Sequence, residues 1–189
     1  MSPRLLTSVT YLKLPVVYPS GLLFSMMLGR FDLSSIAGMP PSKGRSIGNA
    51  CMQQFRILEH TADIGFEAFG STREEAFVNA ARALIHLIVE LDTIAPRDEV
   101  SVEVRGPDPE SVLVNWLSEL LYLHDAEGWL FRDFEIQSLE DNSLSALARG
   151  EKFQRSRHQP KLLVKAITYH QLALERTPQG WRAQVYVDI

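Results

Sequence analysis

Two short segments, far apart in the sequence, carry the residues best suited to chemistry. They are His60-Thr61-Ala62-Asp63-Ile64-Gly65 and the closing Val187-Asp188-Ile189. Each places an aspartate beside apolar, strand-like residues, and the second segment adds the main-chain carboxylate of its last residue. Three carboxylates brought together repel one another unless a cation or shared protons intervene. If the fold joins the segments, we therefore expect a metal site at Asp63, Asp188 and Ile189.

Two alternatives remain for the same residues. By residue type alone the simpler interpretation is favoured, in which Asp63 is a turn residue and Asp188 a frayed terminal charge. A stand-alone metal-dependent hydrolase would combine these two aspartates with His170, but no activating base or oxyanion device is recognisable. Phosphate-binding glycine loops, paired cysteines and nucleophile elbows are also absent from the sequence. We predict no catalytic residues and no cofactor-binding residues.

A basic run in residues 149–165 offers a third possibility. It holds six basic residues and one acidic residue, in a chain of net charge −4. Such a run can create a local positive field, so a basic-loop RNA-binding adaptor acting through Arg155, Arg157 and Lys161 is one interpretation. The run offers little aromatic surface for base stacking, and a solvated loop is an equal alternative.

The first fifty residues differ in composition from the rest of the chain. They hold five basic residues and one acidic residue, out of 19 and 23 in all 189 residues. Their apolar run, residues 14–28, is broken by Pro15, Pro19 and Gly21 and is too short to span a membrane. We weigh a targeting signal, a disordered tail and a spurious extension, and favour the last two. We predict an extension over 1–51 and a domain over 52–189, with Met52 as a native start.

The patterning of residues 52–189 predicts the elements that must position these groups. Alternating and apolar runs predict strands. The single cysteine, Cys51, favours a reducing, cytoplasmic setting. A capping box at Ser71 and Glu74 begins a first helix, and Asp108 with Pro109 begins a second that ends before Gly128. The predicted fold is α+β, a two-layer domain with two main helices packed on a largely antiparallel sheet. The predicted helices are 72–91 and 109–125, and the strands are 55–58, 64–69, 100–105, 129–139, 144–153, 162–175 and 181–189.

The order and spacing of several motifs resemble the archease family. The resemblance covers residues 54–189 and rests on the two aspartate segments and on four motifs between them. These are Glu75-Ala76-Phe77 with Asn79-Ala80-Ala81, Leu113-Val114-Asn115-Trp116-Leu117-Ser118-Glu119-Leu120-Leu121-Tyr122, Gly150-Glu151, and Val164-Lys165-Ala166-Ile167-Thr168-Tyr169-His170.

The resemblance implies an accessory protein of an RtcB-type RNA ligase, and not an enzyme in its own right. Such a protein promotes guanylylation and multiple turnover of the ligase in tRNA splicing or RNA repair, and meets RNA through the ligase. The resemblance also implies a divalent-cation site at Asp63, Asp188 and Ile189, for calcium or magnesium. These hard oxygen donors suit either ion, and Ile189 contributes only main-chain oxygens. We therefore expect a C-terminal extension to perturb the site.

Overall fold

The computed structural model describes residues 53–59 and 64–189, which form seven strands and two α-helices. A short 3-10 helix, Leu91–Thr93, follows the first α-helix. The predicted extension over 1–51 lies outside the described residues, so the boundary at 51 and 52 stays a prediction. The elements are β1 (Phe55–Glu59), β2 (Ile64–Gly70), α1 (Arg73–Ile88), β3 (Asp98–Arg105), α2 (Pro109–Glu127), β4 (Trp129–Leu139), β5 (Ser143–Lys152), β6 (Ala166–Thr177) and β7 (Gly180–Asp188).

The strands form two antiparallel sheets. The first has the order β1-β2-β7-β6, and the second has the order β3-β5-β4. The predicted α+β class, with two helices on antiparallel sheet, is confirmed, and the structure adds that the strands divide between two sheets. In the first sheet the last strand, β7, lies between β2 and β6, so residues from both ends of the domain meet there.

Both helices pack across the two sheets and enclose one core. Helix α1 lies against β2 and β7 of the first sheet and β4 of the second, whereas α2 lies against β6 and β3. The apolar stripe of each helix faces this core, as expected for amphipathic helices. Within the described residues, neither helix combines the length and the apolar composition of a membrane span. The largest fully buried side chains include Phe66, Phe77, Trp116, Phe131 and Leu84.

The ends of the helices test the predicted caps. Helix α1 is capped by Thr72, whose hydroxyl accepts from the Glu75 amide at 3.2 Å. The Glu75 carboxylate accepts from the hydroxyl of Ser71 at 2.6 Å and from its amide at 2.7 Å, and these two bonds lower the pKa of Glu75. The predicted capping box of Ser71 and Glu74 was wrong by one residue. The capping residue with extended backbone is Thr72, and its hydroxyl bonds to Glu75, three residues later.

The cap of α2 is confirmed in detail. The Asp108 carboxylate accepts from the Ser111 amide at 2.7 Å, and Pro109 is the first helical residue. Gly128 ends the helix with φ 71°, a left-handed conformation that glycine adopts without steric cost.

Strand β6 begins four residues later than predicted and is irregular. Residues 162–165 are not strand, because the segment before them is held by other elements, including a bond from the Lys161 amide to Ile88 O at 2.8 Å. The pairing of β6 with β7 shifts between Thr168 and Ala173, where Gln171 has φ 47°. A regular alternation of side chains between the two faces of β6 therefore ends at Thr168, since a bulge resets the side-chain period.

Candidate functional site

The strands that carry the two aspartate segments are direct neighbours in the first sheet. Ile64, the first residue of β2, lies opposite Val187 on β7. Asp188 follows Val187, whereas Asp63 immediately precedes Ile64 in sequence and lies, with His60, outside the described residues. The end of β7 is thus beside the beginning of β2, and we call this end of the two central strands the sheet edge. The position of Asp63 stays a prediction.

Lys165 holds the main chain at the end of β7. Its amide donates to Asp188 O at 2.8 Å, next to the pairing of Ala166 with Asp188. Its ammonium donates to the main-chain oxygen of Ile189, also at 2.8 Å. One residue therefore fixes both predicted ligands of this edge, a contact that the sequence did not indicate beyond placing Lys165 in a basic run.

The donors at this edge fit a hard divalent cation. The side chain of Asp188 is exposed, and no described residue bonds to its carboxylate. Ile189 is 42% exposed, and a cation would share its main-chain oxygen with the Lys165 ammonium that donates to it. Carboxylate and main-chain oxygens are the ligands that calcium and magnesium take. No group of three or more histidine, cysteine or acidic side chains lies close enough to bind a metal among the described residues, so the predicted site depends on Asp63 as well.

The glycine of the first segment has a packing role. Gly65 lies opposite Tyr186, and a Cβ at residue 65 would approach both Tyr186 Cδ1 and Val185 O to 2.8 Å. Real Cβ contacts are not that short, so only glycine leaves room for the tyrosine ring. Tyr186 is buried, and the His170 ring meets it edge-on with centroids 5.7 Å apart.

His170 is not joined to the end of β7 by any hydrogen bond or ion pair among the described residues. Its Nε2 lies 3.1 Å from the side-chain nitrogen of Gln171, and its ring packs on Tyr186. The predicted hydrolase grouping of His170 with Asp188 therefore gains no support. The contacts of the His170 ring with Gln171 and Tyr186 account for its position in the fold.

The basic run is largely neutralised by acids, namely its own Glu151 and several acids on other elements. Of the three residues expected in an RNA adaptor, Arg157 is paired with Glu151 and Lys161 with Glu90, whereas Arg155 is exposed. The bond from Lys161 lowers the pKa of Glu90. Ion pairing cancels much of the positive field on which that interpretation depended. The remaining pairs are Arg149 with Glu99 and Glu135, and Lys152 with Glu127.

The sequence did not predict that two carboxylates, those of Glu67 and Glu151, are buried. Glu67 on β2 is 4% exposed and lies between Arg56 and Arg182. Glu151 on β5 is 3% exposed and is paired with Arg157. Charged side chains are almost never buried unless paired, and the partners here are brought together only by the fold. The one sequence signal was the Gly150-Glu151 motif, which carries no physical pattern of its own.

Comparison with known proteins agrees with this fold and these motifs. Residues 55–189 match the Archease protein family (MTH1598/TM1083). The "Protein archease" of Pyrococcus furiosus is 47% identical over 142 residues, which cover 73% of this chain and all of the relative. That of Methanosarcina mazei is 42% identical over 153 residues, covering 79% of this chain and 99% of the relative.

A solved structure gives the same result. The solution structure of Methanobacterium thermoautotrophicum protein 1598 is similar with a TM-score of 0.63 and 33% identity, covering 73% of this chain and 100% of that one. The family match covers the sequence of both aspartate segments, and the relatives and the solved structure agree with the family. The chain belongs to the archease family.

Proposed function

We propose that this chain is an accessory protein of an RtcB-type RNA ligase. It promotes guanylylation and multiple turnover of that ligase in tRNA splicing or RNA repair, and has no catalytic residues of its own. Membership of the archease family supports the accessory role. The pairing of Ile64 with Val187 is the observation that carries the proposal, because it brings the strands of the two aspartate segments to one sheet edge.

In this proposal Asp63, Asp188 and Ile189 hold a divalent cation, calcium or magnesium, at that edge. When bound, the cation supplies neutralisation of phosphate charge on the incoming nucleotide. Guanylylation is a phosphoryl transfer, which depends mainly on placement and charge neutralisation, so an accessory protein without a nucleophile can accelerate it. The chain's own part is to hold the oxygen donors in place, and the two bonds from Lys165 keep the main chain of Asp188 and Ile189 in position.

The test measures guanylylation of the partner ligase with and without the full chain, in calcium, in magnesium or with a chelator. We expect the chain to stimulate guanylylation with a divalent cation, and Asp63→Ala or Asp188→Asn to abolish the stimulation while the protein stays folded. The matched control is Asp98→Asn, which removes an exposed aspartate from β3 in the second sheet. Full stimulation by a folded Asp188→Asn protein would contradict the metal-centred proposal.

RNA meets this protein through the ligase in the proposal, and the cytoplasm is the proposed location because a lone cysteine suits a reducing compartment. The salt dependence of binding separates this from an RNA adaptor. Binding to RNA alone with a steep loss of affinity at higher salt would favour the adaptor, since phosphate contacts release counterions. Stimulation that needs the ligase and persists at moderate salt favours the accessory protein.

A further inference from the structure

A buried carboxylate on β5, that of Glu151, connects this strand with Ala95 and with Arg157. Glu151 on β5 is 3% exposed, and its Oε1 accepts from the amide of Ala95 at 2.7 Å. The guanidinium of Arg157 donates to both carboxylate oxygens, and Nη2 of the same group also donates to Thr93 O at 3.3 Å. Burying a charge is costly unless it is paired and hydrogen-bonded, and this one is both.

His158 completes the cluster from the other side. It is 1% exposed, and its Nδ1 accepts from the amide of Gln154 at 2.9 Å. With Nδ1 accepting, the ring proton is on Nε2, which lies 3.3 Å from Oε1 of Glu151 without the alignment of a hydrogen bond. The ring also packs on Phe153. The two side chains that face Glu151, those of Arg157 and His158, thus belong to the segment that follows it.

That segment, residues 153–165, has no helix or strand and leads directly to the sheet edge. After the Glu151 cluster it is held at Lys161, whose amide donates to Ile88 O at 2.8 Å and whose ammonium lies 2.6 Å from Glu90. Val164 is then buried in the core, and Lys165 bonds to the end of β7. A loop without regular structure keeps one path only through such anchors, since its backbone entropy opposes order.

We propose that Glu151 is a positioning residue for the proposed cation site at the sheet edge. It fixes the beginning of the 153–165 segment through Arg157 and His158, and so places Lys165 against Asp188 and Ile189. The proposal rests on the proposed function, in which those two residues hold the cation together with Asp63. Its structural half, the link from Glu151 to Lys165, is independent of what the edge binds.

The test is Glu151→Gln in the full chain, with hydrogen exchange of the Lys165 amide as the first readout. Loss of the charge weakens the bonds from Arg157, and charge-assisted bonds are the stronger kind, so we expect this amide to exchange at least about tenfold faster. The second readout is calcium affinity by titration calorimetry, which we expect to fall by about tenfold or more. The matched control is Glu67→Gln, which removes the second buried carboxylate described above. Glu67 is paired with Arg56 and Arg182.

Faster exchange at Lys165 and weaker calcium binding in Glu151→Gln, with neither change in Glu67→Gln, would support the proposal. Unchanged exchange at Lys165, or an equal effect of the two variants, would overturn it. If Asp188→Asn leaves ligase stimulation intact while Glu151→Gln still loosens Lys165, the proposed function fails and the structural link stands. If Glu151→Gln does not fold, Arg157→Lys replaces it, because lysine keeps a positive charge beside the buried Glu151 while losing the paired bonds of the guanidinium.

Discussion

Gly65 lies directly opposite Tyr186 across β2 and β7, with the tyrosine ring over the position where a Cβ would be. Gly65→Ala should therefore lower the free energy of unfolding by about 1–3 kcal/mol, the usual cost of overpacking a filled site. Urea denaturation at neutral pH measures this loss. The control is Gly128→Asn, since a Cβ there meets nothing within 4 Å and asparagine tolerates the left-handed conformation. Equal losses in the two variants would contradict the packing argument.

Gln171 is the one residue other than glycine with positive φ in the part of the chain that the structure describes. A left-handed conformation costs most residues about 1–2 kcal/mol and costs glycine almost nothing. Gln171→Gly should raise the free energy of unfolding by about 1 kcal/mol, after the greater entropy of the unfolded glycine chain is subtracted. Chemical denaturation measures the gain. A loss of stability would mean that the side chain of Gln171, which is exposed, contributes more than its backbone costs.

Glu151 should give the protein part of its stability against acid. Burial alone raises the pKa of this carboxyl, but the bond from the Ala95 amide and the bonds and charge of Arg157 outweigh it and hold the pKa below its ordinary 4.5. A depressed pKa stabilises the fold above the unfolded value and loses that contribution as pH falls through the folded value. The stability difference between wild type and Glu151→Gln should thus be largest at neutral pH and shrink below about pH 4.5.

Denaturation of both proteins from about pH 7 to about pH 3 measures this difference. Glu67→Gln serves as a comparison for general loss of a buried ion pair. A difference that stays constant over the whole range would show that the ionised form of Glu151 is not what stabilises the fold.

Calcium should stabilise the folded chain, and Asp188→Asn should remove that effect. A ligand that binds only the native state adds about 2.7 kcal/mol at a hundred times its dissociation constant, and so raises the Tm. Thermal unfolding with calcium or chelator measures the shift. Asp98→Asn is expected to keep the full shift, because its carboxylate belongs to the second sheet. An undiminished shift in Asp188→Asn would exclude its carboxylate from calcium binding.

Local signals in the sequence predicted the elements well where one residue type dominates the geometry. Asp108 with Pro109 and Gly128 set both ends of α2, and strand 129–139 was predicted with the bounds that the structure has. The cap of α1 was placed one residue early, because Ser71 and Thr72 are both good capping residues and only the backbone conformation decides between them.

What the sequence left open depends on contacts between distant residues. The later start of β6 follows from anchors at Lys161, and the buried state of Glu67 follows from Arg182, 115 residues away. The charge count of the basic run was correct, but the sequence did not indicate that acids on other elements pair with it. For the site, the two aspartate segments were identified, whereas the role of Lys165 at the end of β7 needed the fold.

The place of β7 in the first sheet also has a consequence for synthesis. Strand β2 is made early, yet its neighbour on one side is the last strand of the domain, so it stays unpaired there until residues 180–188 have been translated. Pairing across so many residues is slow, since loop closure must come first. A nascent or truncated chain therefore lacks the end of β7 beside β2, and under the proposed function only the finished domain would bind a cation there.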